Sequence, residues 1–430
     1  MSNTILRRRS DAKIDWSNAI LGIRIDQDVA DSSASVEYID DAIGLTPISI
    51  NKNNGVCNYG DWGEIITEVF GARPCIIKNN AVNRYLNPDN YAQDIDGNAV
   101  TITTTGIDVM VEFTKCWYRY RSESNNRYLY FEVTKKDMSG EPGWVCTAFQ
   151  AEVNNASNQY RNQFYYGVYP SYLYNNKFYS ISGRSPEGYG NESYSGLKWN
   201  TVRYYCTSKG SGWQMETIFK RMYIIGLLML VTKNRNSQLS VGNGFFPKQY
   251  VEEQRTGTLD KNGLFYGRSS VDRAVKCFGI ENMWGGIQYG CDGILGPAIS
   301  ASSTYIKYKM YPAYDTRGTG YSLLNVSPHT VNNWDYGAMS KMKPYLNGSI
   351  ILPIQGTSGS GNSYSDSWYG DMFSWYDTEY EGSYGQWDAY SCYVGGGGNR
   401  SVPKPSGILS MMMTSVSTDR SRFIRLIFCK

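Results

Sequence analysis

The chain holds 430 residues, enough on a prior of roughly 150 per domain for two or three domains with real cores. Its 42 Lys and Arg against 39 Asp and Glu leave a net charge of +3, too balanced for a protein that coats nucleic acid or sits on a membrane through a polybasic patch. A single histidine, His329, excludes a multi-histidine metal site within one chain, whereas 37 Tyr, 11 Trp and 44 Gly give the sequence an unusual aromatic and flexible character.

Residues 1–45 are mixed polar and acidic, with Asp26, Asp28, Asp31, Asp40 and Asp41 set around short apolar runs. They read as an N-terminal attachment or oligomerisation segment. Arg7, Arg8 and Arg9 are followed by Asp11, Asp15 and polar residues where the apolar stretch of a secretory signal would stand. Nine cysteines lie at wide spacings with no Cys-x-x-Cys pair. That pattern predicts reduced thiols in a chain made in a cytoplasm, none of them catalytic. Residues 46–106 form a second, β-rich region, with turn signals at Asn53-Asn54-Gly55, Asn87-Pro88-Asp89 and Asp96-Gly97 between β-prone stretches such as Cys75–Ile77 and Val100–Thr105.

From residue 108 the patterning sharpens. Val109–Tyr120 and Arg127–Lys135 alternate, with Leu129, Phe131 and Val133 facing one way and Tyr128, Tyr130 and Glu132 the other. The polar connection Ser122–Asn126 joins them into an expected β-hairpin. The clearest helical pattern covers Gly212–Thr232, where Met215, Ile218, Phe219, Met222 and Ile225 make an apolar stripe. Ser211 and Gln214 fit a capping box at its start, and Lys233 and Arg235 suit the negative end of its dipole. The expectation is an amphipathic helix packed on a core. Its longest apolar run, Ile224–Val231, falls well short of the ~18–20 residues that cross a bilayer, so no membrane insertion is expected.

Beyond the helix the chain is punctuated by Asn243-Gly244, Asn262-Gly263, Trp284-Gly285-Gly286 and Asp292-Gly293. The stretch 356–399 is extreme. Tyr364, Trp368, Tyr369, Phe373, Trp375, Tyr376, Tyr380, Tyr384, Trp387, Tyr390 and Tyr393 stand among Gly, Ser, Asp and Glu, without a lysine or arginine. Tyrosine and tryptophan supply large contact area with few rotatable bonds, while Gly and Ser let loops adapt, which is the chemistry of a recognition surface. An aromatic-rich core beneath long loops is the competing reading. The closing residues Arg422–Lys430 alternate like a strand inside a sheet.

Gly279-Ile280-Glu281-Asn282-Met283-Trp284-Gly285-Gly286-Ile287-Gln288-Tyr289-Gly290-Cys291-Asp292-Gly293 resembles the Glu-Asn-x-x-Gly-Asn-x-x-Glu-Trp-x-Asp-Gly signature of C-type lectin-like proteins. That family includes sulfatase-modifying factors, phage tail tropism determinants and retroelement-diversified variable proteins. Asp108–Tyr118, Tyr165–Pro186, Lys209–Gln214, Asn236-Ser237-Gln238 with Gly242-Asn243-Gly244, Ser367–Asp371, and Gly395–Gly398 through Gly407-Ile408-Leu409 to Phe423–Leu426 are similar to further blocks of the phage-borne members, in the same order. The chain departs from the signature at Gly286, where the family has asparagine, and at Tyr289-Gly290, where it has Glu-Trp. No cysteine pair follows Gly395–Gly398, so the oxidase chemistry of formylglycine-generating relatives is not expected. The calcium-and-sugar triplets of animal lectins are absent too.

The resemblance implies an α+β protein: an N-terminal segment 1–45, a β-rich region 46–106, and a C-type lectin-like domain over 107–430 with display loops near 356–400. It implies adhesion rather than catalysis, in a bacteriophage tail or fibre protein that binds a host cell-surface receptor, glycan or protein. Trp368, Tyr369, Trp375, Tyr376, Tyr384 and Trp387 are the expected receptor contacts. No metal and no cofactor are expected. The expected partners are the receptor, other virion tail proteins and further copies of the chain, as in a homotrimer, with no nucleic acid. The expected location is the virion, after synthesis in the host cytoplasm. Two alternatives stay open: a structural baseplate or decoration protein, and a glycan-cleaving enzyme using a carboxylate pair from among Asp366, Asp371, Asp377, Glu379, Glu381 and Asp388.

Overall fold

The computed structural model describes residues 15–150, 160–186, 199–244, 255–268, 274–285, 288–295, 305–310, 322–328, 336–358, 372–375, 390–394, 408–409, 411–415 and 422–429. The hairpin expected near residue 125 is formed by Trp117–Glu123 and Tyr128–Thr134, paired from Tyr128 with Glu123 to Thr134 with Trp117. Ser124, Asn125 and Asn126 all take positive φ between them, a backbone that short polar side chains tolerate. Leu129, Phe131 and Val133 are fully buried on the core side. Leu21–Asp26 pairs with the other edge of Tyr128–Thr134, and Val36–Asp40 completes a four-stranded antiparallel sheet.

A second, seven-stranded sheet runs in the order Trp213–Met215, Leu426–Cys429, Gln163–Gly167, Asp108–Thr114, Arg73–Lys78, Ala81–Asn87, Asn90–Asp94. The closing strand thus lies between two others, with Leu426, Ile427, Phe428 and Cys429 all buried. The strand inside a sheet is as expected, but burial on both faces replaces the one-sided burial that the alternating sequence predicts. Hydrogen-bonded pairing crosses both expected domain boundaries, since Leu21–Asp26 joins Tyr128–Thr134 and Arg73–Lys78 joins Asp108–Thr114.

The helical expectation needs two corrections. The helix, here α1, spans Ile218–Thr232, and its N-cap is Thr217, whose side chain accepts from the Lys220 amide. Ser211 and Gln214 do not cap it, because Trp213–Met215 is taken as a strand by Leu426–Phe428. Nor is α1 amphipathic: every residue from Ile218 to Thr232 is buried. It is a central helix, contacting Leu21–Asp26, Gln288–Leu295 and Ile350–Ser358. Gly226 marks the closest approach, facing the ring of Phe131.

The α+β class is overturned. Among the described residues there are 27 strands against three α-helices, and the sheets are predominantly antiparallel. The architecture is β-rich around one buried helix. The physical reason is that many strands are short or buried on both faces, as in Asp108–Thr114, so neither length nor alternation announces them.

Candidate binding surface

The third large sheet carries the C-terminal part of the chain. Its order is Ser322–Pro328, Tyr305–Met310, Gln288–Leu295, Tyr390–Val394, Met411–Ser415, Met372–Trp375, Tyr336–Tyr345, Ile350–Ser358, with Arg422–Phe423 also paired to Gln288–Leu295. Tyr336–Tyr345 is antiparallel to both Met372–Trp375 and Ile350–Ser358, so Trp375 and Ser358 end at the same edge of the sheet. Met372–Trp375 is parallel to Met411–Ser415, and Tyr390 lies opposite Ser415 at that edge. One strand separates Trp375 from Tyr390, about 10 Å across the sheet at ordinary strand spacing, and Tyr390 lies two residues further along, because Trp375 is level with Met413 and Cys392. The edge therefore gathers Tyr336, Ser358, Trp375, Tyr390 and Ser415 from five strands.

Of the six expected contact residues, Trp375 occupies the last position of its strand, level with Met413. Trp368, Tyr369, Tyr376, Tyr384 and Trp387 lie outside the described residues, as do the six carboxylates of the glycosidase alternative. The residue preceding 359–371 is Ser358. Trp375 and Tyr390 flank 376–389. Residues 376–389 thus join the sheet at this edge at both ends, and 359–371 leaves from it at Ser358 and re-enters at Met372, the other end of Met372–Trp375.

Buried ionic contacts tie the large sheet to the rest of the molecule. In the helix Trp199–Thr207, Arg203 forms a two-pronged bond to Asp292 at 2.8 and 2.7 Å. The Asp292 amide donates to the Glu216 carbonyl. Glu216 in turn accepts from Arg221 at 3.2 Å and from the Tyr166 hydroxyl. Burial alone would lower the Arg221 pKa, but the adjacent Glu216 carboxylate outweighs it and the guanidinium stays charged. Its second terminal nitrogen donates to the Met283 and Ile408 carbonyls. Arg425 donates to the carbonyls of Gly167, Val168 and Glu281, beneath the ring of Tyr289. A fork of fixed donors suits such carbonyl clusters better than a lysine would.

The Glu-Asn block also has structural work. The Glu281 carboxylate accepts from the amides of Gly257 and Leu259 at 3.1 and 2.8 Å, and Lys276 donates to the Leu259 carbonyl while lying 3.8 Å from the Tyr91 ring centre. Burial, then the nearby Asp260 carboxylate, raises the Glu281 pKa; burial lowers that of Lys276. Asn282 accepts from the Val275 amide, and the Trp284 indole donates to Gly242. Every one of these groups fastens backbone segments together.

Two observations bear on chemistry. Among the described residues no group of three or more His, Cys, Asp or Glu is placed to hold a metal ion. Burial pushes the thiols of Cys57, Cys116 and Cys277 up to about 12, which keeps them protonated and poorly nucleophilic.

One exposed feature escaped the sequence reading. The hairpin Tyr172–Tyr174 and Lys177–Tyr179 turns at Asn175 and Asn176, both with positive φ. Tyr174 is 45% exposed, and its ring lies nearly parallel to that of Tyr172, with centres 6.3 Å apart. The pattern Tyr-x-Tyr-Asn-Asn-Lys was the available signal: alternating rings beside a two-residue turn.

No protein-family model and no curated protein sequence matches this chain.

Proposed function

We propose that this chain is the receptor-binding protein of a bacteriophage tail or fibre, an adhesin that attaches the particle to a host-surface glycan or protein. The observation that carries this reading is the shared sheet edge: Ser358, Trp375 and Tyr390 stand beside two stretches, 359–371 and 376–389, that hold seven Tyr and Trp among Gly, Ser and acidic residues. Recognition segments need a scaffold that does not move while their own residues adapt. The buried Arg203–Asp292 and Arg221–Glu216 pairs supply that rigidity from below. The resemblance of residues 107–430 to phage-borne C-type lectin-like proteins supports the same reading. Aromatic rings would stack on sugar or side-chain faces, while the carboxylates of 356–400 accept hydrogen bonds from hydroxyls. Several copies on one particle, as in a homotrimer, would convert weak single contacts into firm attachment.

The test is alanine substitution at Trp368, Tyr369, Trp375, Tyr376, Tyr384 and Trp387, with host-cell binding and thermal melting measured on the same variants. True anchors lose about 1–4 kcal/mol of binding each at an unchanged melting temperature. Rings that belong to the core instead lose ~3–5 kcal/mol of stability. If every variant either melts early or binds as the parent does, the segment is scaffold, and a structural virion role takes its place.

A further inference from the structure

We propose that Cys291 and Cys392 form an oxidative cross-link site, closing into a disulfide when the chain meets a low-molecular-weight disulfide. The inference does not rest on the adhesion reading. It comes from register: Cys291 and Cys392 are direct partners in the antiparallel pair Gln288–Leu295 and Tyr390–Val394, following Tyr289 with Val394 and Gly290 with Tyr393. Directly opposed residues of an antiparallel pair share a face of the sheet, with Cα atoms about 4.5–5.5 Å apart. Disulfides take Cα separations of about 4.4–6.8 Å, a range that includes this spacing. Among the described strand registers no other two cysteines are partners.

The position also has a mechanical consequence. Cys291 is the last regular partner before the ladder slips, because Leu295 is the next residue paired, with Ser391. A bulge leaves extra residues unpaired and weakens the ladder beyond it. A bond at this point pins Tyr390–Val394, the strand that follows 376–389, to the neighbour that Asp292 anchors through Arg203.

The chemistry is two successive exchanges. One cysteine thiolate attacks the S–S bond of the small disulfide and expels one small thiolate. The second cysteine thiolate then attacks the mixed disulfide, forming the S–S bond between Cys291 and Cys392 and expelling the other. The two cysteine protons end on the two small thiols released, and the small disulfide is the species reduced. Because Cys291 is fully buried, the exchange belongs to folding or opening of the sheet rather than to the closed protein.

The experiment uses the full chain, unfolded under reducing conditions and refolded with a mixture of reduced and oxidised glutathione. Remaining thiols are alkylated in denaturant. Chymotrypsin under non-reducing conditions cuts after Tyr289 and so separates Cys277 from Cys291. Seven of the nine cysteines should be alkylated, and the Cys291 peptide should be joined to the Cys392 peptide. The oxidised protein should melt higher than the same sample after reduction, and Cys392→Ala should melt alike with and without reductant. The peptide map of the unmodified chain decides the matter even where a variant folds poorly. Nine alkylated cysteines in the refolded soluble protein, or a bridge joining a different pair, overturns the proposal.

Discussion

Gly226 sits in the middle of α1, where glycine costs a helix about 1 kcal/mol relative to alanine. On propensity alone, Gly226→Ala should stabilise the protein by that amount. The packing argues the opposite. A Cβ at this position would lie 2.5 and 2.6 Å from two carbons of the Phe131 ring, with a third closer still. Unstrained carbon–carbon contacts lie near 3.5–4.0 Å, so the ring would have to retreat by about 1 Å. Phe131 is fully buried, and its ring centre lies 4.9 Å from that of Tyr120 and 6.3 Å from that of Tyr118. A ring so enclosed has nowhere to go. Overpacking of this kind costs about 1–3 kcal/mol. Taking the upper end for three ring atoms and subtracting the propensity gain leaves a net loss of about 2 kcal/mol. Urea unfolding of the parent and Gly226→Ala, followed by fluorescence and circular dichroism, measures it through the shift in midpoint. Adding Phe131→Leu should recover part of the loss, so that the double variant is more stable than the sum of the singles predicts. A Gly226→Ala protein as stable as the parent, or more so, would refute the close-approach argument.

Two further outcomes follow from buried charge. The Lys52 ammonium is largely buried, finds no hydrogen-bond partner among the described residues, and has its pKa lowered by burial to about 8 from 10.5. Between those values the unfolded chain holds a proton that the folded chain has released, so this residue's contribution to stability rises as the pH climbs from about 8 towards 10.5. Unfolding measured across that range should show a rise in the parent that Lys52→Met lacks; parallel profiles would refute it. Arg425→Met removes the guanidinium from the Gly167, Val168 and Glu281 carbonyls; Val168 keeps the Glu281 amide as a donor, and any carbonyl left unsatisfied costs about 1–3 kcal/mol. This variant should lose cooperative melting, as should deletion of residues 422–430. Arg425→Lys should not restore it, since one ammonium cannot reproduce the guanidinium fork. Either variant melting like the parent would remove the argument.

What was legible in the sequence is what depends on neighbours along the chain. The hairpin of Trp117–Glu123 and Tyr128–Thr134 could be read because Leu129, Phe131 and Val133 alternate and a polar turn stands beside them. The existence of a helix within Gly212–Thr232, and of a strand at the close, followed from local pattern in the same way. The start of α1 was not legible. Trp213-Gln214-Met215 has helical spacing, and it becomes a strand because residues some two hundred positions later hydrogen-bond to it. The fold class failed for a related reason: strands enclosed on both faces lose their alternation, and a helix enclosed on every side loses its polar face.

The candidate site divides along the same line. The wealth of Tyr, Trp, Gly and acidic residues in 356–400 is a matter of composition and needs no structure. That Ser358, Trp375 and Tyr390 share one edge depends on strand order and direction, including the parallel pairing of Met372–Trp375 with Met411–Ser415. The opposition of Cys291 to Cys392 is likewise invisible in spacing, which here argued for independent thiols. Local preference is set by each residue and its near neighbours, whereas pairing across a hundred residues is selected by the burial and hydrogen bonding of the whole sheet at once. Tertiary structure therefore decided where the aromatic segments attach and which two cysteines stand opposite each other in the sheet.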